Sequence, residues 1–260
     1  MKHTEVIIFG INGRLGSAIA RHSGGEFTVA AGISDSVTAG FEIVTGGEPV
    51  SVYQVHAFPT ELARGRTVID ASSPSGTEAA TALSVETQSP LVVATTGHDA
   101  RQQNAIASAA ENVPIVMDSN FSRGIAMLRS ILPVLFPAPE GFDVTILERH
   151  RAEKKDFPSG TAKQLASEIS ALYGDMRIKT EAGPRKQRDI EVVSIRAGSA
   201  PGSEHRIFLH DTFEELEFRH TVTDGRAYAA GIAHAVKWLN EEERQPGLYS
   251  MHDILAQSKA

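Results

Sequence analysis

In the first half of the chain, short apolar runs rich in Val and Ile alternate with stretches of helical period. Runs at 6–9, 28–33, 67–70, 91–94 and 115–117 predict strands, and stretches at 15–22, 76–85 and 100–111 predict helices between several of them. Strands apolar on both faces and separated by helices form a parallel sheet covered on each side, the doubly wound α/β arrangement. The second half has a different rhythm. Runs at 142–148, 190–196, 204–210 and 214–221 are longer and alternate apolar with polar residues. That pattern predicts an open mixed sheet with one face packed and the other solvated or paired with a partner. A helix is expected over 161–173. After the turn signal Thr223-Asp224-Gly225, the three-to-four spacing of Ala229, Ile232, Ala233, Val236 and Leu239 predicts another over 226–240.

The change of rhythm implies two domains. Residues 1–121 and 226–260 are expected to form the α/β domain and 122–225 the α+β domain, the chain crossing out near 121–124 and returning near 224–227. The last helix is expected to pack back on the first domain, and 241–250 reads as polar connecting sequence. Composition narrows the class further. The 260 residues, 41% hydrophobic and 22% charged, are those of an ordinary globular protein with ample core. Cys is absent, which excludes disulfides and thiolate metal sites and suits a reducing compartment. The opening apolar run is too short for a signal peptide, and the greasiest stretch, 131–136, is interrupted by Pro133 and followed by Pro137. A net charge of -7 and a pI near 5.8 argue against nucleic acid as the main partner. A soluble, cytoplasmic protein with no membrane partner is expected.

Gly10-Ile11-Asn12-Gly13-Arg14-Leu15-Gly16 follows the first strand and leads into the first helix. That placement turns a weak glycine pattern into a dinucleotide-binding signal. Glycine permits a tight turn, lets the backbone approach a pyrophosphate and allows close helix–strand packing. The alternative is an ordinary strand–helix turn; position in the first βα unit favours a Rossmann-type nucleotide site. Asp35 lies 19 residues after Gly16, near the offset of an acid that binds the adenosine ribose, and Ser34 is the other candidate at that strand end. No Lys or Arg follows closely to take a 2′-phosphate, Arg14 being the one evident candidate, so NADH is expected to serve at least as well as NADPH. Ala94, Thr95, Thr96 and Gly97, and Ser119, Asn120 and Phe121, follow later strands on the side where open α/β sheets bind ligands. They are expected to flank the nicotinamide.

The richest segment runs from Glu148 to Ala162. Between Arg149 and Lys155 lie four Lys or Arg, one His and a single Glu, directly before Pro158-Ser159-Gly160-Thr161 and a predicted helix. A helix start presents backbone N–H groups without partners and a partial positive charge, so this turn suits a small anion. Ser159, Gly160 and Thr161 are expected to offer N–H groups and a hydroxyl to a carboxylate, and Arg151 a bidentate fork. His150 adds a group that exchanges protons near neutral pH. Basic turns are more often plain solvated surface, but here one shares a chain with a nucleotide loop. A substrate bearing carboxylates is the reading.

With these pieces in place the chain resembles the 4-hydroxy-tetrahydrodipicolinate reductase (dihydrodipicolinate reductase) family over nearly its whole length. The resemblance rests on the glycine turn, Ala94-Thr95-Thr96-Gly97, Asn120-Phe121-Ser122 and Glu148…Lys154…Asp156-x-Pro-Ser-Gly-Thr-Ala162. Arg196-Ala-Gly198, Glu204-His205 and the Trp238-Leu239…Gly247-Leu-Tyr end add to it. It implies NADH- or NADPH-dependent reduction of a cyclic imine dicarboxylate in bacterial lysine and diaminopimelate biosynthesis, by a homotetramer. Lys154 would then be the proton donor or the cation facing the ring nitrogen, its charged form disfavoured by neighbouring cations. His150 would be the matching acid/base group. The family usually has a second His where Arg151 stands and Ala where Phe157 stands, and around Ser73 its usual aromatic and Arg are missing. These departures leave open a reductase of another cyclic imine or keto acid. A nucleotide-sensing homologue without turnover is the other alternative, against which the intact His150 and Lys154 argue. His205, His210 and His220 alternate along predicted strands with no compact ligand spacing, so no metal is expected and they read as strand surface or subunit contacts.

Overall fold

The structure, a computed structural model, describes residues 4–22, 25–38, 40–136, 142–174, 176–199 and 202–257. The chain separates into two compact units, Met1–Arg123 with Arg226–Ala260, and Gly124–Gly225. Among the described residues no helix is long and apolar enough to cross a membrane.

The first unit begins with β1 (Glu5–Phe9), α1 (Arg14–Arg21), β2 (Thr28–Ile33), β3 (Phe41–Thr45) and β4 (Glu48–Tyr53). Two short 3-10 turns lead to β5 (Thr67–Asp70), α2 (Pro74–Thr87), β6 (Leu91–Val93), α3 (Ala100–Ala109) and β7 (Pro114–Met117). The second unit holds α4 (Arg123–Leu135, whose first residue belongs to the first unit), β8 (Asp143–His150), α5 (Gly160–Leu172), β9 (Arg177–Lys179), β10 (Asp189–Arg196), β11 (Ser203–His210) and β12 (Glu215–Val222). The chain then returns to the first unit as α6 (Arg226–Glu241), β13 (Gly247–Tyr249) and α7 (Met251–Gln257).

The eight strands of the first unit lie in the order β13-β7-β6-β5-β1-β2-β4-β3. All pairings are parallel except the β3–β4 hairpin. β1 lies between β2 and β5, so the strand order reverses there and the crevice for a ligand opens beyond Phe9 and Asp70. Val6, Ile7 and Ile8 have no exposure and Phe9 has 2%, as expected of a strand covered on both faces. α2 starts on Ser73, whose side chain accepts from the Gly76 N–H, with Pro74 at its first position. A reciprocal Asp99–Gln102 capping box starts α3.

Several elements depart from the periodicity. The β3–β4 hairpin turns on Gly46 and Gly47, both at positive φ, and β3 is an edge strand too exposed for an apolar pattern to mark it. The stretch expected as connecting sequence contains β13, which extends the sheet beside β7. The apolar run around Pro133 ends α4, where the proline removes one N–H close to the last turn. α6 packs on α1 and β6 and approaches the chain so closely that a Cβ on Gly231 would stand 1.6 Å from the Phe121 carbonyl oxygen.

In the second unit the order is β12-β11-β8-β10-β9, antiparallel across β12, β11 and β8 and parallel across β8, β10 and β9. One face packs Val144, Ile146, Ile190, Val192, Ile207 and Leu209 against Leu165 and Ile169 of α5 and Ile125 and Leu132 of α4. The other face leaves Val193 and Ile195 partly exposed. The packed face turns polar at one end. Register places Glu148 opposite His205, and His205 opposite His220, while Arg196 lies beside His150.

Gly231→Ala is expected to destabilise the protein by about 1–3 kcal/mol or more, because backbone must move to admit the methyl group. Urea unfolding of the variant measures it, and unchanged stability would contradict the packing described.

Candidate active site

The glycine turn lies at the point where the sheet reverses. Gly10 has φ +74, and a Cβ there would meet the Ala71 carbonyl oxygen at 2.5 Å; a Cβ on Gly16 would meet the Gly10 oxygen at 2.2 Å. Both positions therefore need glycine, the first for its dihedral angle and the second for close helix–strand packing. Gly13 begins α1 with no side-chain cap, so the first N–H groups of the helix remain for an anion. Asn12 and Arg14 are exposed around them, and Leu15 is half-buried. These features fit the pyrophosphate of a dinucleotide. Ile11, by contrast, has no exposure and wedges its side chain against Gly32, so only its main chain is available to a cofactor. At the end of β2, Asp35 is exposed and accepts from the Val55 N–H at 3.3 Å, while the Ser34 hydroxyl pairs with Ser36 at 2.9 Å.

The later strand ends are more heavily engaged than their sequence suggests. Thr95 accepts from the Ser72 N–H at 3.0 Å. Thr96 and Gly97 are exposed, Ala94 is half-buried and Gly97 has φ +91. Ser119 is exposed, whereas Asn120 caps the Ser122 N–H at 2.8 Å and Phe121 is 3% exposed. The Phe121 side chain is thus packed inside, which leaves its main chain as the part available to flank the nicotinamide. A network not anticipated braces this wall. Buried Asp70 accepts from Thr77 at 2.5 Å, and Thr77 pairs with His98 Nε2 at 2.8 Å.

The cationic turn connects β8 with α5. Lys154 Nζ is ion-paired with Asp156 Oδ1 at 2.8 Å. Beside the neighbouring cations expected from the sequence, a carboxylate therefore also lies against the Lys154 ammonium. Partial burial acts to raise the Asp156 pKa, but the hydrogen bond and charge of Lys154 outweigh it and the net shift is downward. Asp156 also faces the Gly160 N–H. Arg151 is half-buried, 4.0 Å from Glu153. Ser159 caps α5 by accepting from the Ala162 N–H at 3.2 Å, and its own N–H donates to Glu148 at 3.3 Å. Ser159 is therefore occupied in building the turn, with Gly160 and Thr161 following it in the first turn of α5.

Behind the turn lies a buried polar cluster. Glu148, with no exposure, accepts from His150 Nδ1 on one oxygen and from Arg196 Nη2 at 2.7 Å on the other. Arg196 Nη2 also donates to the Asp156 carbonyl at 2.7 Å. Burial alone would raise the Glu148 pKa, but hydrogen bonds from His150 and Arg196 bring it from 4.5 down to about 2. His205 has no exposure, lies edge-on to His150 at 5.3 Å between ring centroids and stacks on His220 at 6.3 Å. Burial, reinforced by His150, lowers its pKa from 6.5 to about 3. His205 is thus a core residue and not strand surface, while His210 sits at the far end of the strand, paired with Glu215 at 3.0 Å. Glu148, His150 and His205 bring three possible metal-ligand atoms within 4.8 Å of one another. The carboxylate among them is already taken by three donors, one a guanidinium that would repel a cation. The role of Glu148 was within reach of strand alternation, since it shares a face with His150 two residues on; His205 needed the register between β8 and β11.

A doubly wound sheet with a glycine turn at its switch point, in one chain with a cationic turn backed by a carboxylate–imidazole pair, defines a nicotinamide-dependent oxidoreductase. Profiles described as the N-terminus and the C-terminus of dihydrodipicolinate reductase match residues 4–121 and 124–255. The chain is 31% identical to a 4-hydroxy-tetrahydrodipicolinate reductase of Sulfurovum sp. (strain NBC37-1), over 97% of this chain and 99% of that one. It is 32% identical to the Wolinella succinogenes protein of the same name, over 95% and 97%. A dipicolinate-bound dihydrodipicolinate reductase from Paenisporosarcina sp. TG-14 shares the fold, with a TM-score of 0.72 at 17% identity over 95% of this chain and 97% of that chain. The chain belongs to the dihydrodipicolinate reductase family.

The depressed His205 pKa has a consequence for stability. Between pH 6.5 and 3 the unfolded chain binds a proton that folded His205 refuses, so stability falls as pH drops through that window. Glu148 adds a loss that starts below 4.5 and is complete once pH has fallen through about 2. The unfolding free energy of His205→Gln from urea titrations is expected to fall less steeply than that of wild type below pH 6.5, by up to about 1.4 kcal/mol per pH unit. Parallel slopes would contradict this.

Proposed function

We propose that this chain catalyses the NAD(P)H-dependent reduction of 4-hydroxy-tetrahydrodipicolinate to tetrahydrodipicolinate, in lysine and diaminopimelate biosynthesis. The observation that carries the reading is the cationic turn, where Lys154, His150 and the start of α5 converge on one end of the second unit. The first unit is the dinucleotide-binding domain and the second the substrate-binding and oligomerisation domain. The partly exposed Val193 and Ile195 on the open sheet face suit pairing of subunits in a homotetramer, and the enzyme works in the cytoplasm.

The nicotinamide supplies a hydride when bound. Everything else falls to side chains and backbone. The first turn of α1 and the glycines before it hold the pyrophosphate, and Asp35 takes the adenosine ribose. Thr96, Gly97 and Ser119, all exposed at strand ends, flank the nicotinamide. On the second unit, Gly160 and Thr161 N–H groups and the Arg151 guanidinium hold a substrate carboxylate. Asp156 fixes the Lys154 ammonium in place. Lys154 delivers a proton to the anion that develops on the ring, and His150 acts beside it as the matching acid/base group. Donors fixed before the reaction stabilise charge that appears only in the transition state.

Lys154→Ala is expected to lower kcat by about 10²–10⁴, measured as NADH or NADPH oxidation with freshly generated product of dihydrodipicolinate synthase. Near-normal kcat would remove Lys154 from the chemistry, and turnover only with another cyclic imine would replace the substrate. In the same assay NADH is expected to serve at least as well as NADPH. A KM for NADPH lower by about a hundredfold would show that Asp35 does not set the preference.

A further inference from the structure

We infer that Glu148 is a positioning residue for this reaction: it locks His150 in the Nδ1–H tautomer and leaves Nε2 as the ring nitrogen that meets the substrate. The inference rests on the reading of His150 as the acid/base group. Glu148 touches no substrate in this scheme and acts only through the imidazole.

Three observations support it. The Glu148 carboxylate has no exposure, so water does not compete for its oxygens. His150 Nδ1 is within hydrogen-bond contact of one oxygen. The opposite tautomer would set the Nδ1 lone pair against that oxygen, two acceptors facing each other without solvent between them. The other oxygen takes Arg196 Nη2 at 2.7 Å and the Ser159 N–H at 3.3 Å. The carboxylate therefore cannot turn away from His150 without abandoning both donors. His150 keeps 14% of its side chain exposed, and Nε2 is the nitrogen not committed to Glu148.

The other groups around the pair favour the same arrangement. Arg196 of β10 supplies positive charge to the oxygen opposite His150. His205 of β11 lies edge-on to His150, stacks on His220 of β12 and directs Nε2 to the Ser159 hydroxyl at 3.5 Å, so it does not contend for the carboxylate. Lys154 in the turn is held by Asp156. When Nε2 takes up a proton, the resulting imidazolium lies directly against a carboxylate already in place. When it gives the proton up, the ring returns to the single tautomer that the carboxylate selects. A carboxylate that orients a catalytic imidazole in this way is known to act through tautomer and charge without itself gaining the proton.

Long-range imidazole ¹⁵N NMR of the intact wild-type protein tests the first part without turnover. The neutral His150 ring should show a protonated Nδ1 and a bare Nε2; an Nε2–H form, or an even mixture, would overturn the inference. Kinetics test the second part. Glu148→Gln should lower kcat by about 10²-fold, with the KM for the dicarboxylate changed by less than about threefold, and Glu148→Asp should recover part of the loss. Normal kcat in Glu148→Gln beside an inactive His150→Gln would overturn the role of Glu148 and leave that of His150 standing. Normal kcat in His150→Gln would overturn both. Should Glu148→Gln fail to fold, the wild-type tautomer still decides the matter.

Discussion

A charged carboxylate sealed from water dictates the architecture of the active end of the second unit. Glu148 is unexposed at the end of β8 and accepts from His150, Arg196 and Ser159. An uncompensated charge in such a place would be prohibitive, so the donors must all be present together. The consequence is geometric. Four chain segments converge on two oxygen atoms: the end of β8, the start of α5, the end of β10 and, through the second bond of Arg196 to the Asp156 carbonyl, the cationic turn itself. Long basic side chains on a free turn would wander. Here the turn is tied at both ends, and Lys154 is held by a second carboxylate.

The first unit solves a different problem with sterics instead of charge. A phosphate-bearing ligand needs backbone at close range, and that requires side chains to be absent where the turn, helix and neighbouring strand end meet. Gly10 and Gly16 meet that demand, the first against Ala71 and the second against Gly10 itself. Their cost in chain entropy is offset by strands such as β1, whose Val6, Ile7 and Ile8 are fully buried between layers of helix. Gly231 repeats the device at the return helix, where α6 presses on the Phe121 backbone. Binding of the nucleotide and packing of the return segment thus depend on the same kind of residue for the same reason.

Much of this was legible before any coordinates. Period-two and period-three-to-four patterns report burial, so the strongly buried strands β1, β2, β5, β6 and β7 and the helices beside them declare themselves. The change to polar alternation likewise marks the second sheet. What escaped notice lacks a clean apolar period for different reasons. β3 is mostly exposed, β13 is three residues long at a sheet edge, and α4, though its apolar face is buried, carries Pro133 within its last turn. The site divides along the same line. His150, Lys154 and the glycine turn carry local spacing. His205 becomes part of the site only through a strand register across more than fifty residues, and Ser159 was expected to face the ligand when its N–H and hydroxyl in fact hold the turn together. Local sequence shows which groups are present; only the pairing shows which of them are already spoken for.

The central claim is that a ring dicarboxylate is held by the cationic turn of the second unit. A crystal structure of the chain with reduced nicotinamide dinucleotide and the planar analogue pyridine-2,6-dicarboxylate addresses it most directly. The account predicts one analogue carboxylate within hydrogen-bond distance of the Thr161 N–H and the Arg151 guanidinium, with Lys154 and His150 Nε2 turned toward the ring and Glu148 still on Nδ1. An analogue bound elsewhere, with neither the start of α5 nor the Arg151 guanidinium in contact with a carboxylate, would contradict it.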